Sequence, residues 1–224
     1  MANVTSRKLA PSRQRRLMKE RAYDSLKQLI LNETFEPGSF LSERQLAGRL
    51  KMSKTPIKSA LERLESEGFI GVSPQQGIVV LDLTLEEIAD HFETREALET
   101  YVVRRLAGKL TSEQTVRIRE NLAAQKVSVE NLDDSANRLL DSEFHLLWCQ
   151  FLGNREIIAV MRRLRDRIHR IISRVNSRNL SRMNEGLEEH LRIAEAVIGG
   201  DGDGAARAVE EHLRSGKLCL LSLR

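Results

Sequence analysis

The chain has 224 residues, 41% of them apolar and 30% charged, which is the composition of a globular protein with room for one or two cores. No apolar run reaches the ~18–20 residues of a membrane span, and Cys149 and Cys219 stand far apart without a C-x-x-C, as expected of reduced thiols in a cytoplasmic protein. The net charge of +4 hides an asymmetry: residues 1–80 carry 14 Lys/Arg against 8 Asp/Glu, and residues 81–224 carry 22 against 24.

The excess is concentrated at the start. Residues 1–21 hold Arg7, Lys8, Arg13, Arg15, Arg16, Lys19 and Arg21 against Glu20 alone. A basic arm over residues 1–20 suits phosphate tracking; a solvated leader without a role has the same composition. From Tyr23 to Leu31 the apolar residues fall at helical spacing. A Pro37-Gly38 turn follows. Ser42 with Gln45 is a capping-box pattern that opens a short helix to about Leu50. In "SKTPIKSALERLESEGFI", Ser53 or Thr55 can cap a third helix, and Pro56 is acceptable only in its first turn. Ile57, Ala60, Leu61 and Leu64 form its apolar stripe, and Gly68 ends it. Two short β-like runs then flank a Pro74–Gly77 turn.

Three helices and a hairpin in this order make a winged helix-turn-helix, whose third helix enters the major groove by its N-terminal end. That end carries Ser53, Lys54, Thr55 and Lys58, with both lysines opposite the apolar stripe. A purely structural helix-turn-helix would show the same division. "FLSERQLAGRLKMSKTPIKSALERLESEGFI" resembles the N-terminal domain of the GntR family of bacterial transcription regulators, through Ser42, Glu43, Leu46, Ala47, Ser53, Thr55, Pro56, Ala60, Leu61, Leu64 and Gly68. The resemblance implies that Arg44, Ser53, Lys54, Thr55, Lys58 and the wing turn at Gln76 and Gly77 touch a double-stranded DNA operator. Lys54 and Lys58 stand where the family usually has arginine, and Gln76 where the wing often has a basic residue. Lysine lacks the planar fork that reads guanine, so the preferred operator shifts.

From Leu85 onward helical periods dominate. Six helices fall at roughly 84–108, 111–131, 133–152, 154–177, 180–199 and 202–221. Thr84, Thr111, Asp133 and Asn154 are the N-caps, and Gly108, Gly153 and Gly199-Gly200 the stops. Within "LLDSEFHLLWCQFL", Asp141 and His145 lie four apart on one helix face. His190 shares a stripe with Leu187, Ala194 and Val197, and His212 one with Ala205, Ala208, Val209 and Leu213. All four polar groups therefore face inward. A divalent transition metal, Zn or Ni with Mn also compatible, would satisfy them together; a buried hydrogen-bond network is the alternative. Arg95 shares a face with Ile88, Phe92, Leu98 and Val102, where it either meets a ligand carboxylate bidentately or pairs with Glu99.

This half is similar to the FCD domain that accompanies one large GntR subfamily, whose motif is Asp-x-x-x-His on one helix and single histidines on the last two. Asp141, His145, His190 and His212 match it, and six helices resemble the VanR-like branch. The resemblance implies a metal on those four residues and an effector pocket containing Arg95. The expected architecture is mainly α. A basic arm (1–20) precedes a winged helix-turn-helix (21–82), and an all-α six-helix FCD bundle (83–224) follows.

The reading is a ligand-responsive, sequence-specific transcription regulator, a homodimeric repressor answering to a small organic acid. A metal-dependent hydrolase is the alternative, but the chain has no H-E-x-x-H, no Gly-rich phosphate loop, and Leu187 and Val209 where a di-iron site needs glutamates. A metal-stabilised regulator without an effector is a third reading.

Overall fold

In a computed structural model the chain divides into two compact units, Met1–Asp82 and Leu83–Arg224. Residues 11–32, 34–73, 77–82, 84–176 and 181–221 are described, apart from the side chains of 11–15, 166–176 and 221.

The N-terminal unit runs α1 (Pro11–Leu31), β1 (Phe40–Leu41), α2 (Glu43–Leu50), α3 (Lys54–Ser66), β2 (Ile70–Ser73) and β3 (Gly77–Val80). Both halves of the Ser42/Gln45 capping box form at the start of α2. Its C-cap, Lys51, takes a left-handed φ of 52° to turn the chain into α3. Pro56 sits in the first turn of α3, and the helix buries Ile57, Ala60, Leu61 and Leu64 in one core with Ala22, Tyr23, Leu26 and Ile30 of α1. Gly68 ends α3 with a φ of 73°: its N–H reaches the Glu65 carbonyl and that of Phe69 the Leu64 carbonyl, the paired bonds of a Schellman motif. The strands form an antiparallel sheet in the order β1-β3-β2. At its start Gly77 has a φ of +92° and lies so close to the Leu41 carbonyl that a Cβ would stand 3.0 Å from it, so only glycine fits.

Two elements differ from the sequence reading. Strand β1 is only two residues long, too short to show alternation. Helix α1 begins at Pro11 rather than near Tyr23, so the second half of the basic arm is helical. Proline suits a first helical position, and Arg16 pairs with Glu20 one turn on at 3.1 Å; no apolar repeat marks this stretch. Arg16, Lys19 and Arg21 are exposed on it. Arg7, Lys8 and Gln76 lie outside the described residues.

The C-terminal unit contains α4 (Leu85–Leu106), α5 (Ser112–Glu130), α6 (Asp134–Leu152), α7 (Arg155–Asn176), α8 (Ser181–Gly199) and α9 (Gly202–Leu221). Thr84 and Thr111 close capping boxes with Glu87 and Gln114, while Asp133 and Asn154 cap α6 and α7. Gly108, Gly153 and Gly200 have positive φ where α4, α6 and α8 stop. The core gathers Ile88, Val102, Ile118, Phe144, Trp148 and Ile193, with Val197 and Val209. Among the described residues no helix is long and apolar enough to cross a membrane.

Glu67, at the C-terminal end of α3, ties the N-terminal unit together. It accepts from the Tyr23 hydroxyl at 2.6 Å, from Lys27 Nζ at 3.1 Å and from Arg63 Nε at 3.0 Å. Burial alone would raise its pKa, but Tyr23 and Lys27 outweigh burial and hold the carboxyl below its ordinary range. The stabilisation is therefore present above about pH 4.5 and lost as pH falls through the lowered value. Glu67→Gln should destabilise this unit by about 1–3 kcal/mol near neutrality. The deficit should shrink below about pH 4, as thermal unfolding across a pH series would show.

Candidate functional site

Four ligand atoms converge inside the C-terminal unit. Asp141 and His145 come from α6, His190 from α8 and His212 from α9, and one ligand atom of each lies within 4.8 Å of the others. His145 Nε2 is 3.3 Å from His190 Nε2 and 3.1 Å from His212 Nε2. Asp141 Oδ1 stands 3.5 Å from His190 Nε2 and 4.0 Å from His145 Nε2. The three histidines are buried, while Asp141 is partly exposed and lines a cavity.

The opposite edge of each ring is also occupied. His145 Nδ1 donates to Glu99 Oε2 at 2.6 Å, His190 Nδ1 to Gln125 Oε1 at 2.8 Å and His212 Nδ1 to Glu189 Oε2 at 2.7 Å. A neutral imidazole has one N–H. Where a ring is neutral with that proton at Nδ1, its Nε2 presents a lone pair to the centre of the cluster. The oxygens are held in turn. Arg95 Nε donates to Glu99 at 2.7 Å, Arg182 Nη2 to Glu189 at 2.6 Å, and Gln125 Nε2 to Asn121 Oδ1 at 2.7 Å.

The electrostatics keep this arrangement. Burial would raise the Glu99 carboxyl, but Arg95 and His145 outweigh it and bring its pKa to about 2. Burial at Glu189 is likewise overcome by His212 and Arg182, again to about 2. Burial, then His212 and His145, hold His190 well below the ordinary imidazole range, and burial lowers His212 against the pull of Glu189. Both rings are thus neutral at pH 7, the form that ligates a metal. Burial pushes the nearby Cys149 thiol up to about 12, so no thiolate competes. Three imidazoles and a carboxylate are a donor set of borderline hardness that fits a divalent transition metal.

Asp141, His190 and His212 line a cavity of about 70 Å³ together with Arg95 and Arg182, which is space for several water-sized groups. Arg95 is both things that its position in α4 allowed: it is paired with Glu99, and it lines the cavity. Sequence reasoning missed Arg182, Gln125 and Glu189. Gln125 carried a signal, since Asn121, Gln125 and Ser128 interrupt the buried stripe of α5 with polar groups. Glu189 and Arg182 carried none, because charged residues at those spacings are ordinary on helix surfaces.

In the N-terminal unit Arg44, Ser53, Lys54, Thr55 and Lys58 are all exposed, as is Gly77 on the wing strand. Ser53 occupies the N-cap of α3 but makes no side-chain cap bond, which leaves its hydroxyl and the first backbone N–H groups available to an outside acceptor.

Comparison with known proteins identifies both halves. The bacterial regulatory protein gntR family matches residues 18–80, and the FCD domain matches residues 90–215. The HTH-type transcriptional repressor RspR of Escherichia coli strain K12 is 28% identical over 197 residues, spanning 87% of this chain and 85% of its own length. The Nta operon transcriptional regulator of Aminobacter aminovorans is 31% identical over 182 residues, 80% of this chain and 83% of its own. Among solved structures, that of E. coli McbR/YncC superposes with a TM-score of 0.79 at 21% identity, covering 92% of this chain and 98% of that one, a likeness of fold. The chain belongs to the GntR family of bacterial regulatory proteins, as a DNA-binding transcription regulator with a C-terminal FCD domain, and is not an enzyme.

Proposed function

We propose that this regulator is a homodimeric repressor whose FCD domain holds one divalent transition metal and a small carboxylate effector, and which releases its operator when the effector binds. The observation that carries the metal is the convergence of three Nε2 atoms beside Asp141, with each ring's Nδ1 against an oxygen of Glu99, Gln125 or Glu189 on its other side. The Nε2 atoms stand 3.1 and 3.3 Å apart, and a cation among them would accept all three lone pairs. Glu99, Gln125 and Glu189 supply the outer hydrogen bonds that ligating histidines commonly have. Zn or Ni suits this donor set best, with Mn compatible. The bound ion would supply a Lewis-acidic seat for an anionic oxygen. Arg95, on the cavity wall, adds a donor for the effector's carboxylate.

On the DNA side, Lys54 and Lys58 at the exposed start of α3 face base edges. Arg44, Ser53 and Thr55 position the helix on phosphates, and Gln76 and Gly77 form the wing contact. Two half-sites of a symmetric operator call for two copies of α3, hence a dimer. Repression follows the names of relatives such as RspR, and the action is on cytoplasmic DNA. Effector binding need shift the operator-binding state by only ~1–3 kcal/mol, a typical coupling.

Two measurements test this reading. Chelated and reloaded protein should carry about one divalent ion per chain, and His145→Ala should carry almost none; elemental analysis of both decides it. An undiminished metal content in the mutant would reduce the four residues to a hydrogen-bond network. In gel-shift titrations Lys54→Ala and Lys58→Ala should each cost about 1–3 kcal/mol of operator affinity while the circular dichroism stays that of the wild type. Unchanged affinity in both would mean that α3 does not read DNA.

A further inference from the structure

Among the described residues, Gly186 and Gly216 are the glycines in helix interiors of the C-terminal unit, and both line the cavity beside the histidines. A mid-helix glycine is destabilising relative to alanine, so each asks for a reason. A Cβ on Gly216 would stand 3.4 Å from Phe92 Cε1, and close packing of α9 on α4 accounts for it. A Cβ on Gly186 would meet nothing within 4 Å. Packing among the described residues does not explain Gly186, whereas room for a ligand does.

The residue one turn before it points the same way. Arg182, Gly186 and His190 recur every four positions along α8, so they share a face, and about 12 Å of helix separates the first from the last. The Arg182 side chain is 10% exposed, although it carries a charge. Nη2 donates to Glu189 at 2.6 Å, but Nη1 lies 3.7 Å from Glu185 Oε2 and has no hydrogen-bond acceptor among the described residues. A buried guanidinium nitrogen without an acceptor is costly, and a ligand oxygen would satisfy it.

We propose that the Arg182–Gly186 edge of α8 selects the effector: the space over Gly186 takes its carbon chain, and Arg182 donates to an oxygen remote from the carboxylate. This rests on the metal-and-carboxylate reading above. Charge narrows the ligand further. Glu185 is 58% exposed and does not line the cavity; of the groups inside, the Arg95–Glu99 and Arg182–Glu189 pairs cancel, and a divalent ion beside Asp141 leaves one positive charge, which a single carboxylate neutralises. The ligand is therefore a small monocarboxylic acid bearing a second, uncharged oxygen on its chain; a dicarboxylate would bury an excess negative charge.

The test is calorimetric titration of the zinc-loaded full chain with butyrate, 3- and 4-hydroxybutyrate, and succinate. The wild type should bind one of the hydroxy acids at least about tenfold tighter than butyrate or succinate. Arg182→Lys, which keeps a cation for Glu189 but removes the second nitrogen, should retain zinc and butyrate binding and lose the preference. Gly186→Leu should retain zinc and weaken every acid at least about tenfold. A preference that is missing in the wild type, or that survives Arg182→Lys, overturns the role of Arg182. Zinc loss in Arg182→Lys does the same by making it a support for His212. Wild-type affinities in Gly186→Leu overturn the role of the gap. If none of the acids binds zinc-loaded wild type, the carboxylate reading itself falls and takes this one with it.

Discussion

Three imidazole Nε2 atoms converge beside Asp141 in the interior of the C-terminal unit, and much of that unit is arranged to hold them there. The rings are fixed in that orientation, because an oxygen of Glu99, Gln125 or Glu189 stands 2.6–2.8 Å from each Nδ1. Those oxygens are themselves fixed by Arg95, Asn121 and Arg182. Five helices meet through this set: α4 by Glu99, α5 by Gln125, α6 by Asp141 and His145, α8 by Glu189 and His190, and α9 by His212. A half-satisfied polar cluster at such a junction would be worse than an apolar one. The expense makes sense when a cation completes it.

On the proposed reading this geometry would also give the FCD domain a way to feel a ligand. An anion reaching Arg95 or Arg182 touches the same guanidinium groups that hold Glu99 and Glu189, and through them His145 and His212. In the proposed metal-loaded state the Arg95–Glu99–His145 and Arg182–Glu189–His212 arms would meet at the ion, so that an anion at either guanidinium would be felt by α4, α6, α8 and α9. By reciprocity, an effector favoured by the metal must also tighten the metal.

Parts of this were legible in the sequence because local rules govern them. Capping boxes at Ser42, Thr84 and Thr111, the Gly68 stop and the stripe from Ile57 to Leu64 place helices without tertiary knowledge. Asp141 and His145 stood out because four-residue spacing puts a charge and an imidazole inside an apolar helix. The outer partners of the histidines did not. Glu99 and Glu189 are good helix formers at unremarkable spacings, and only the folding of α4 on α6 and of α8 on α9 turns them into imidazole acceptors. Arg95 was readable as a salt bridge or as a pocket residue. Both are true, since one guanidinium has enough donors for each. The start of α1 escaped notice because Arg16, Leu17, Lys19, Glu20 and Arg21 are exposed and leave no apolar period.

X-ray absorption at the zinc edge of the reloaded protein, before any acid is added, tests the central claim most directly. The account predicts a first shell with three imidazole nitrogens at about 2.0–2.1 Å and at least one oxygen from Asp141 at about 2.0–2.2 Å. The outer-ring scattering should require three imidazoles. A shell made only of oxygens, or one fitted with a single imidazole, would contradict it. The convergence of His145, His190 and His212 would then have another cause.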